Sequence, residues 1–270
     1  MWDFEHPPRD AALAEHYQLH YTLPSLCADE LLSARADLGL IPIASLTPDL
    51  VIVPNCVIAS LDHVRSIQLI VKSSDSDSTR ALQSVRTIAA DTASRSSLAY
   101  AEILFRKFLS THPAFIPASA DVVAMLQQAD AAILIGDPAL VAIESRTQIE
   151  QVVGHCHWFD LAHEWRTRIG LPWVAAVWAV RPEALSIAHI TPAQLLESLT
   201  VSRDHGLAHI EDIAREWTPR IALSPAAIRN YLTHNIHYSL DPDCVRTIQV
   251  FRQHAAEIEA LPALPNLRFL

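Results

Sequence analysis

The chain has 270 residues, of which 50% are hydrophobic and 19% charged, and its formal net charge is −10. This composition supplies enough apolar material for one large or two ordinary domains, and the negative charge argues against nucleic acid or an anionic membrane as a partner. The four cysteines form no CxxC pair and the amino-terminal residues do not resemble a signal peptide, so we expect a cytoplasmic protein.

The first eighty residues predict several short strands and one amphipathic helix. Arg65, Ser66 and Gln68 alternate with apolar residues, which is typical of a half-buried strand. The polar run 72–79 indicates a boundary or the capped start of a helix. The predicted strands are 18–23, 37–44, 50–53, 56–58 and 64–71, and the predicted helix is 25–36.

The segment 87–98 is the most informative part of the sequence, because an apolar strand at 87–90 is followed by hydroxyl residues and a helix at 98–109. The free N–H groups and the positive dipole at a helix N-terminus favour an anion. Hydroxyls and a guanidinium add donors for a carboxylate or phosphate, although the same residue types also occur in ordinary helix caps. The residues concerned are Thr92, Ser94, Arg95, Ser96 and Ser97.

Strands and helices continue to alternate through the middle of the chain, and the last eighty residues are helical. Three of the last helices begin with a proline after Thr, Ser or Asp, which is an N-cap followed by proline at the first helical position. The predicted strands are 115–117, 131–135 and 173–180, and the predicted helices are 120–129, 160–168, 192–199, 207–217, 225–232 and 242–261.

This alternation predicts an α/β protein with parallel-rich sheets. The long strands at 64–71 and 173–180 enclose the middle of the chain. We therefore expect a first lobe formed by 1–71 and 175–270 and an inserted second lobe formed by 72–174. The long strands would act as hinges, and a ligand would bind in the cleft between the lobes, beyond the carboxyl ends of strands.

Several familiar sites are absent from the sequence. The five glycines are too widely spaced for a dinucleotide-binding or P-loop motif, and there is no G-x-S-x-G or H-E-x-x-H motif. His155 and His157 would share one face of a strand, but the sequence offers no third ligand for a metal ion beside them. We therefore expect no metal site.

Seven segments, taken together and in this order, resemble the chorismate dehydratase family of the futalosine route to menaquinone. The order and spacing of the segments carry the resemblance, since each alone is compatible with a capped strand end. The segments are 37–42 (DLGLIP), 64–69 (VRSIQL), 91–97 (DTASRSS), 135–140 (IGDPAL), 159–165 (FDLAHEW), 170–179 (GLPWVAAVWA) and 235–241 (NIHYSLD), with Tyr231 and Leu232 as a further match.

The resemblance implies a type II periplasmic-binding-protein fold, with two α/β lobes and a central cleft, used as a cytoplasmic enzyme. It implies a carbon–oxygen lyase that removes water from chorismate to give 3-[(1-carboxyvinyl)oxy]benzoate, with no organic cofactor or metal. We expect one substrate carboxylate at the helix start described above, and a carboxylate of the substrate is itself a candidate for the base. Further substrate contacts are expected from Ser60, Ser66, Gly136, Asp137 and Asn235. Asp137 either orients a ring hydroxyl or caps the next helix, and capping is the role expected of it.

Two other interpretations stay open. One is a non-catalytic small-anion-binding protein of the same fold, and the other is the related 1,4-dihydroxy-6-naphthoate synthase. The segments 92–97 and 235–238 favour the dehydratase. Members of the family usually begin with a further strand and an Asn-containing loop, so we expect this element to be missing here. A monomer or a homodimer is expected.

Overall fold

The computed structural model describes residues 1–91, 95–264 and 266–270. Within these residues the strands form a three-stranded sheet and a five-stranded sheet. The strands are β1 (Leu38–Pro42), β2 (Val51–Ser60), β3 (Ile67–Lys72), β4 (Thr87–Asp91), β5 (Ala114–Ala118), β6 (Ala131–Ile135), β7 (Cys156–Asp160) and β8 (Trp173–Val180).

The helices connect the strands and make up the last third of the chain. The predicted starts at Pro192, Pro225 and Pro242 are confirmed, and Thr191, Ser224 and Asp241 cap them with side-chain hydrogen bonds. No helix among the described residues is long and apolar enough to cross a membrane. The α-helices are α1 (Asp10–Ala14), α2 (Pro24–Leu32), α3 (Ser78–Ser84), α4 (Arg95–Ile103), α5 (Val122–Gln128), α6 (Gly136–Glu144), α7 (Arg146–Val153), α8 (Leu161–Ile169), α9 (Pro182–Ile187), α10 (Pro192–Ala208), α11 (Ile210–Trp217), α12 (Pro225–Asn230) and α13 (Pro242–Glu257).

Among the named strands of the described residues, parallel pairs occur only around β4 in the five-stranded sheet, and an isolated parallel bridge joins Ile52 to Phe269. The five-stranded sheet has the order β5-β4-β6-β3-β7, and β4 pairs in parallel with both β5 and β6. The strand β3 pairs antiparallel with β6 and β7. The other sheet, β1-β8-β2, is antiparallel throughout. The expected α/β class is present, but the sheets are mixed rather than rich in parallel pairs.

The strand pairing differs from the predicted division at both of its boundaries, and the division into lobes stays a prediction. Residues 67–71 are predicted in the first lobe, and they pair as part of β3 within the five-stranded sheet. Residues 173 and 174 were expected in the second lobe but begin β8, which is the central strand of the three-stranded sheet. If each lobe is drawn around one sheet, the chain crosses from one lobe to the other at residues 61–66 and crosses back at residues 170–172. These two segments are called the first and second crossings.

Two predicted strands differ from the structure. Residues 18–23 form no strand, and Tyr21 and Leu23 in this segment are exposed. Their apolar alternation finds no neighbouring strand to pair with, so no sheet forms there. The predicted strands 50–53 and 56–58 are one strand, β2, whose pairing with β8 shifts register between Ile52 and Val57. A bulge of this kind allows one strand to continue through polar residues.

The main core contains a cluster of aromatic side chains that come from elements beside both sheets. Tyr100 on α4, Trp165 on α8, Trp173 on β8 and Phe251 on α13 are each fully buried. The rings of Trp165 and Trp173 lie 5.6 Å apart in an edge-to-face arrangement, and Tyr100 contacts both. The helix α4 contacts β6 and β8, and α8 contacts β3, β7 and β8, so this aromatic cluster packs between the two sheets.

Candidate active site

The crossing from β2 to β3 is held by one buried carboxylate, Asp160. This residue is the N-cap of α8, where it accepts hydrogen bonds from two N–H groups of the first turn. Arg65 has a φ of +61°, so the chain makes a sharp change of direction at this point. The other donors to Asp160 are the main-chain nitrogen of Val64 at 3.2 Å, that of Arg65 at 2.6 Å and Nε2 of Gln68 at 3.2 Å.

Ser66 and Gly136, both predicted site residues, come together at the end of this crossing. The main-chain nitrogen of Gly136 donates a hydrogen bond to the carbonyl of Ser66 at 2.8 Å. The side chain of Ser66 is buried, and its hydroxyl accepts a hydrogen bond of 3.0 Å from the hydroxyl of Tyr231. Gly136 has a φ of +63°, a conformation that favours glycine. The loop before β3 and the turn after β6 therefore meet in a fixed arrangement.

Asp137 lies in the first turn of α6, and the expected helix cap is not formed there. The N-cap position is Ile135, without a side-chain hydrogen bond, so Asp137 contributes to this helix only through its charge near the positive dipole end. Its side chain reaches solvent, yet partial desolvation by the surrounding atoms raises its pKa. The capping role was expected because Asp follows a strand end, but the helix begins at Gly136, two residues too early for Asp137 to be its N-cap.

Burial raises the pKa of the Tyr231 hydroxyl, and the negative charges of Asp137 and Asp160 raise it further. The hydrogen bond to Ser66 acts in the opposite direction. The net effect keeps this phenol protonated at neutral pH. The crossing therefore carries a pair of hydroxyls, Ser66 and Tyr231, and the charges of Asp137 and Asp160 act on the Tyr231 hydroxyl.

Asn235 lies in the same π-helical segment as Tyr231, Tyr231–Asn235. Its Nδ2 donates a hydrogen bond of 2.9 Å to the carbonyl of His63, which is part of the β2–β3 crossing. Its Oδ1 is buried and has no hydrogen-bond partner among the described residues. Because a buried unpaired carbonyl oxygen is costly, this atom is a candidate acceptor for a ligand donor.

The side chains at the start of α4 are largely engaged within the protein. The guanidinium of Arg95 lies 2.8 Å from both carboxylate oxygens of Asp29. The hydroxyl of Ser96 accepts a hydrogen bond from the nitrogen of Ala44 and donates one to the carbonyl of Ala175. These contacts fix the N-terminus of α4 against residues of the other sheet. Ser97 is buried beside them, and Thr92 and Ser94 lie outside the described residues.

The remaining predicted residues have structural contacts. Ser60 is buried at the end of β2, opposite Trp173 in the sheet register. The nitrogens of His155 and His157 bond to the carbonyls of Ser73 and Asp75, so this pair fixes a loop. It contributes to no cluster of three metal-ligating groups among the described residues.

Sequence reasoning did not select Tyr231, Asp160 or Gln68 as site residues. Each gains its position from partners far away in the chain, as in the contact between Tyr231 and Ser66. Periodicity does not detect such contacts. The only available signal for Tyr231 was its place among the segments that resemble the family.

Two sheets joined by two crossings, with polar side chains gathered where the chain crosses, define a protein of the periplasmic-binding-protein fold. Solved structures agree. The chain is similar in structure to the aliphatic sulphonate binding protein SsuA of Escherichia coli, with a TM-score of 0.59 and 14% identity over 89% of this chain and 75% of that one. For the alkanesulfonate-binding protein SsuA of Xanthomonas axonopodis pv. citri, bound to MOPS, the values are 0.60 and 14% over 89% and 81%. At such identities the likeness shows the fold alone.

Residues 3–257 match a protein family described as menaquinone biosynthesis, and the chain belongs to this family. Over 200 residues it is 26% identical to the chorismate dehydratase of Thermus thermophilus, which covers 71% of this chain and 69% of that protein. A protein from Archaeoglobus fulgidus also shares the fold, with a TM-score of 0.64 and 13% identity over 96% of this chain and 94% of that one.

Proposed function

We propose that this protein is a chorismate dehydratase, a hydro-lyase of menaquinone biosynthesis. The family match and the chorismate dehydratase of Thermus thermophilus support the assignment. The observation that links this assignment to a particular site is the hydroxyl pair of Ser66 and Tyr231, on which the charge of Asp137 acts. Loss of water from chorismate needs hydrogen-bond donors for the departing hydroxyl, and this pair supplies them.

The reaction is an elimination that makes the ring aromatic. The C–H bond at the ring carbon that carries the ether breaks, and its electron pair forms a new double bond. The neighbouring C–O bond breaks, and hydroxide leaves with a proton as water to give 3-[(1-carboxyvinyl)oxy]benzoate. We infer that a substrate carboxylate accepts the ring proton, so that the protein mainly orients the substrate and assists departure of hydroxide.

The residues then have distinct proposed roles. Tyr231 donates to Ser66, which leaves the Ser66 proton free to bond the departing hydroxyl. Asn235 accepts from a substrate hydroxyl through its unpaired Oδ1. The start of α4, with Ser97, Thr92 and Ser94, binds a carboxylate, while the ion pair to Asp29 positions Arg95. Asp137 orients a ring hydroxyl.

The cysteines bear on the proposed setting, because the structure pairs none of the four in a disulfide. Cys27, Cys56, Cys156 and Cys244 are all free thiols. We propose a cytoplasmic enzyme, monomeric or homodimeric, with chorismate as its small-molecule partner. No organic cofactor enters the proposed reaction.

The test is turnover of chorismate by the purified chain. Mass spectrometry should detect a product lighter by one water, and its ultraviolet spectrum should be that of a substituted benzoate. A Ser66→Ala variant prepared in parallel should form the product more slowly. If a folded wild-type protein forms no such product, the assignment is wrong.

A non-catalytic anion-binding protein is the second candidate, because sulphonate-binding proteins share this fold. This alternative predicts that chorismate binds, as measured by calorimetry, and is recovered unchanged. The related 1,4-dihydroxy-6-naphthoate synthase would likewise leave chorismate unchanged.

A further inference from the structure

Three metal-ligating side chains converge on the outer side of the β2–β3 crossing. Asp62 and His63 follow β2, and His163 lies in the first turn of α8. Nδ1 of His163 is 2.6 Å from Oδ1 of Asp62, and Nδ1 of His63 is 2.9 Å from Oδ2 of the same carboxylate. The two imidazole rings stack with centroids 4.1 Å apart. The three ligand atoms lie within 4.8 Å of one another.

The chemistry of this donor set matches a divalent transition metal. Imidazole nitrogen and carboxylate oxygen are both ligands of zinc, and three protein ligands with one open position form the usual open zinc site. Both rings turn Nδ1 toward the carboxylate of Asp62. A cation bound there would replace the two imidazole protons, and the stacked rings would turn so that their in-plane lone pairs meet at the ion. The three side chains are about half exposed, which leaves the open position accessible to water.

Both segments that carry these ligands are fixed before any ion binds. Asp160 accepts from the nitrogen of Arg65, two residues after His63, and from the nitrogen of His163 itself. Asn235 holds the carbonyl of His63. The cost of ordering the backbone around the site has therefore already been met in folding, which favours affinity.

We propose that Asp62, His63 and His163 bind one divalent transition-metal ion, with zinc as the representative ion and water as the fourth ligand. The bound ion would join the crossing between the sheets to the start of α8. The site is independent of the proposed dehydration, which needs no metal, and the proposal stands if the dehydratase assignment fails.

Two other groups in the chain serve as internal comparisons. His237, Asp241 and Cys244 also lie within 4.8 Å of one another, but Asp241 caps α13 and burial raises the pKa of the Cys244 thiol to about 12. A thiolate ligand is therefore unfavourable there. His157 is bonded to a main-chain carbonyl, so its Nε2 is not available.

The test is competition for Zn²⁺ between the metal-free full chain and a chromophoric chelator. The experiments use a Cys27→Ser background, because Cys27 is a partly exposed thiol whereas the other three cysteines are buried. We expect one equivalent of Zn²⁺ per chain. His63→Ala and His163→Ala should each weaken binding roughly tenfold or more, whereas His157→Ala and His237→Ala should leave it unchanged.

Thermal unfolding gives a second measurement. Excess Zn²⁺ should raise the melting temperature of the parent chain but not that of the His63→Ala, His163→Ala double variant, which circular dichroism should show to be folded. The proposal is overturned if no stoichiometric Zn²⁺ is bound. It is equally overturned if His237→Ala abolishes binding, or if binding survives in the double variant.

Discussion

The main-chain nitrogen of Arg65 lies 2.6 Å from the carboxylate of Asp160, 95 residues further along the chain. The same carboxylate begins α8, which leads directly to the second crossing between the sheets. Both crossings are therefore tied to one side chain. Ser66 of the candidate active site and His63 of the proposed metal site lie next to the residues that Asp160 binds in the first crossing. His163 of the metal site lies three residues after Asp160 itself.

We predict that Asp160→Ala destabilises the protein by about 2–4 kcal/mol, because it removes a helix cap and leaves buried N–H groups without acceptors. Urea unfolding measures the difference. Asp121→Ala is the matched control, since the Asp121 side chain caps α5 by accepting from the nitrogens of Val123 and Ala124, and it should cost about 1 kcal/mol. Equal losses in the two variants would contradict the role assigned to Asp160.

We predict that Tyr231→Phe lowers kcat/KM for chorismate by roughly tenfold or more, because it removes the donor to Ser66 while keeping the ring. Steady-state kinetics measures this loss, and circular dichroism checks the fold. Tyr238→Phe is the control, since the Tyr238 hydroxyl donates to the carbonyl of Leu232. If the two variants are equally active, Tyr231 has no part in the reaction.

We predict that Asp137→Asn keeps turnover within about tenfold of the wild type, because the proposed base is a carboxylate of the substrate. A loss of three orders of magnitude, with substrate binding intact, would instead identify Asp137 as the base. The comparison must be made at saturating chorismate, so that a change in KM does not hide the result.

The same variant has a predictable effect on stability against pH. Desolvation raises the pKa of Asp137 in the folded protein, so ionisation is less favourable there than in the unfolded chain. At neutral pH the wild type should therefore unfold at a slightly lower temperature than Asp137→Asn. The difference should disappear as the pH falls through the raised folded pKa and below the unfolded value of about 4. A wild type that is more stable at pH 7 would contradict this sign.

We predict that Gly39→Ala destabilises the protein through a contact with Cys27. An added Cβ at position 39 would lie 2.8 Å from the Sγ of Cys27. In a Cys27→Ala background the same substitution should therefore cost less, and a double-mutant cycle measures this coupling. Additive losses would show that the clash is relieved by other means.

The sequence predicted the elements that rest on local signals. The strand Trp173–Val180 was predicted with its bounds, and the starts of α10, α12 and α13 were fixed by a capping residue followed by proline. Such signals act within a few residues, so they need no knowledge of the rest of the fold. The fold class followed from the alternation of these elements together with the resemblance to the family.

Strand direction and pairing were harder to predict. Ile67–Lys72 has the alternating pattern of a strand in either sheet, and only its pairing with β6 and β7 decides between them. Segment 18–23 has a similar pattern but no partner. Pairing depends on contacts between distant parts of the chain, which the local pattern does not contain.

The candidate site was predicted in part. Ser66 and Gly136 are hydrogen-bonded to each other, whereas the cleft and the substrate contacts of all the named residues stay predictions. Arg95 shows why residue type alone is insufficient, because a guanidinium suited to an anionic ligand has an intramolecular partner in Asp29. Whether Arg95 binds an anionic ligand or Asp29 depends on the position of α2, which no motif near Arg95 specifies.

The π-helical turn at Tyr231–Asn235 limits how this chain can vary. A wider turn of this type holds one more residue than an α-helical turn, so removing a residue within it would rotate Asn235 by about 100° about the helix axis relative to Tyr231. Tyr231 and Asn235 would then no longer face Ser66 and His63 together. Substitutions along this turn therefore preserve its geometry, whereas insertions and deletions change it. Among related sequences, the number of residues between these two positions should be a better guide to shared chemistry than the identity of the residues between them.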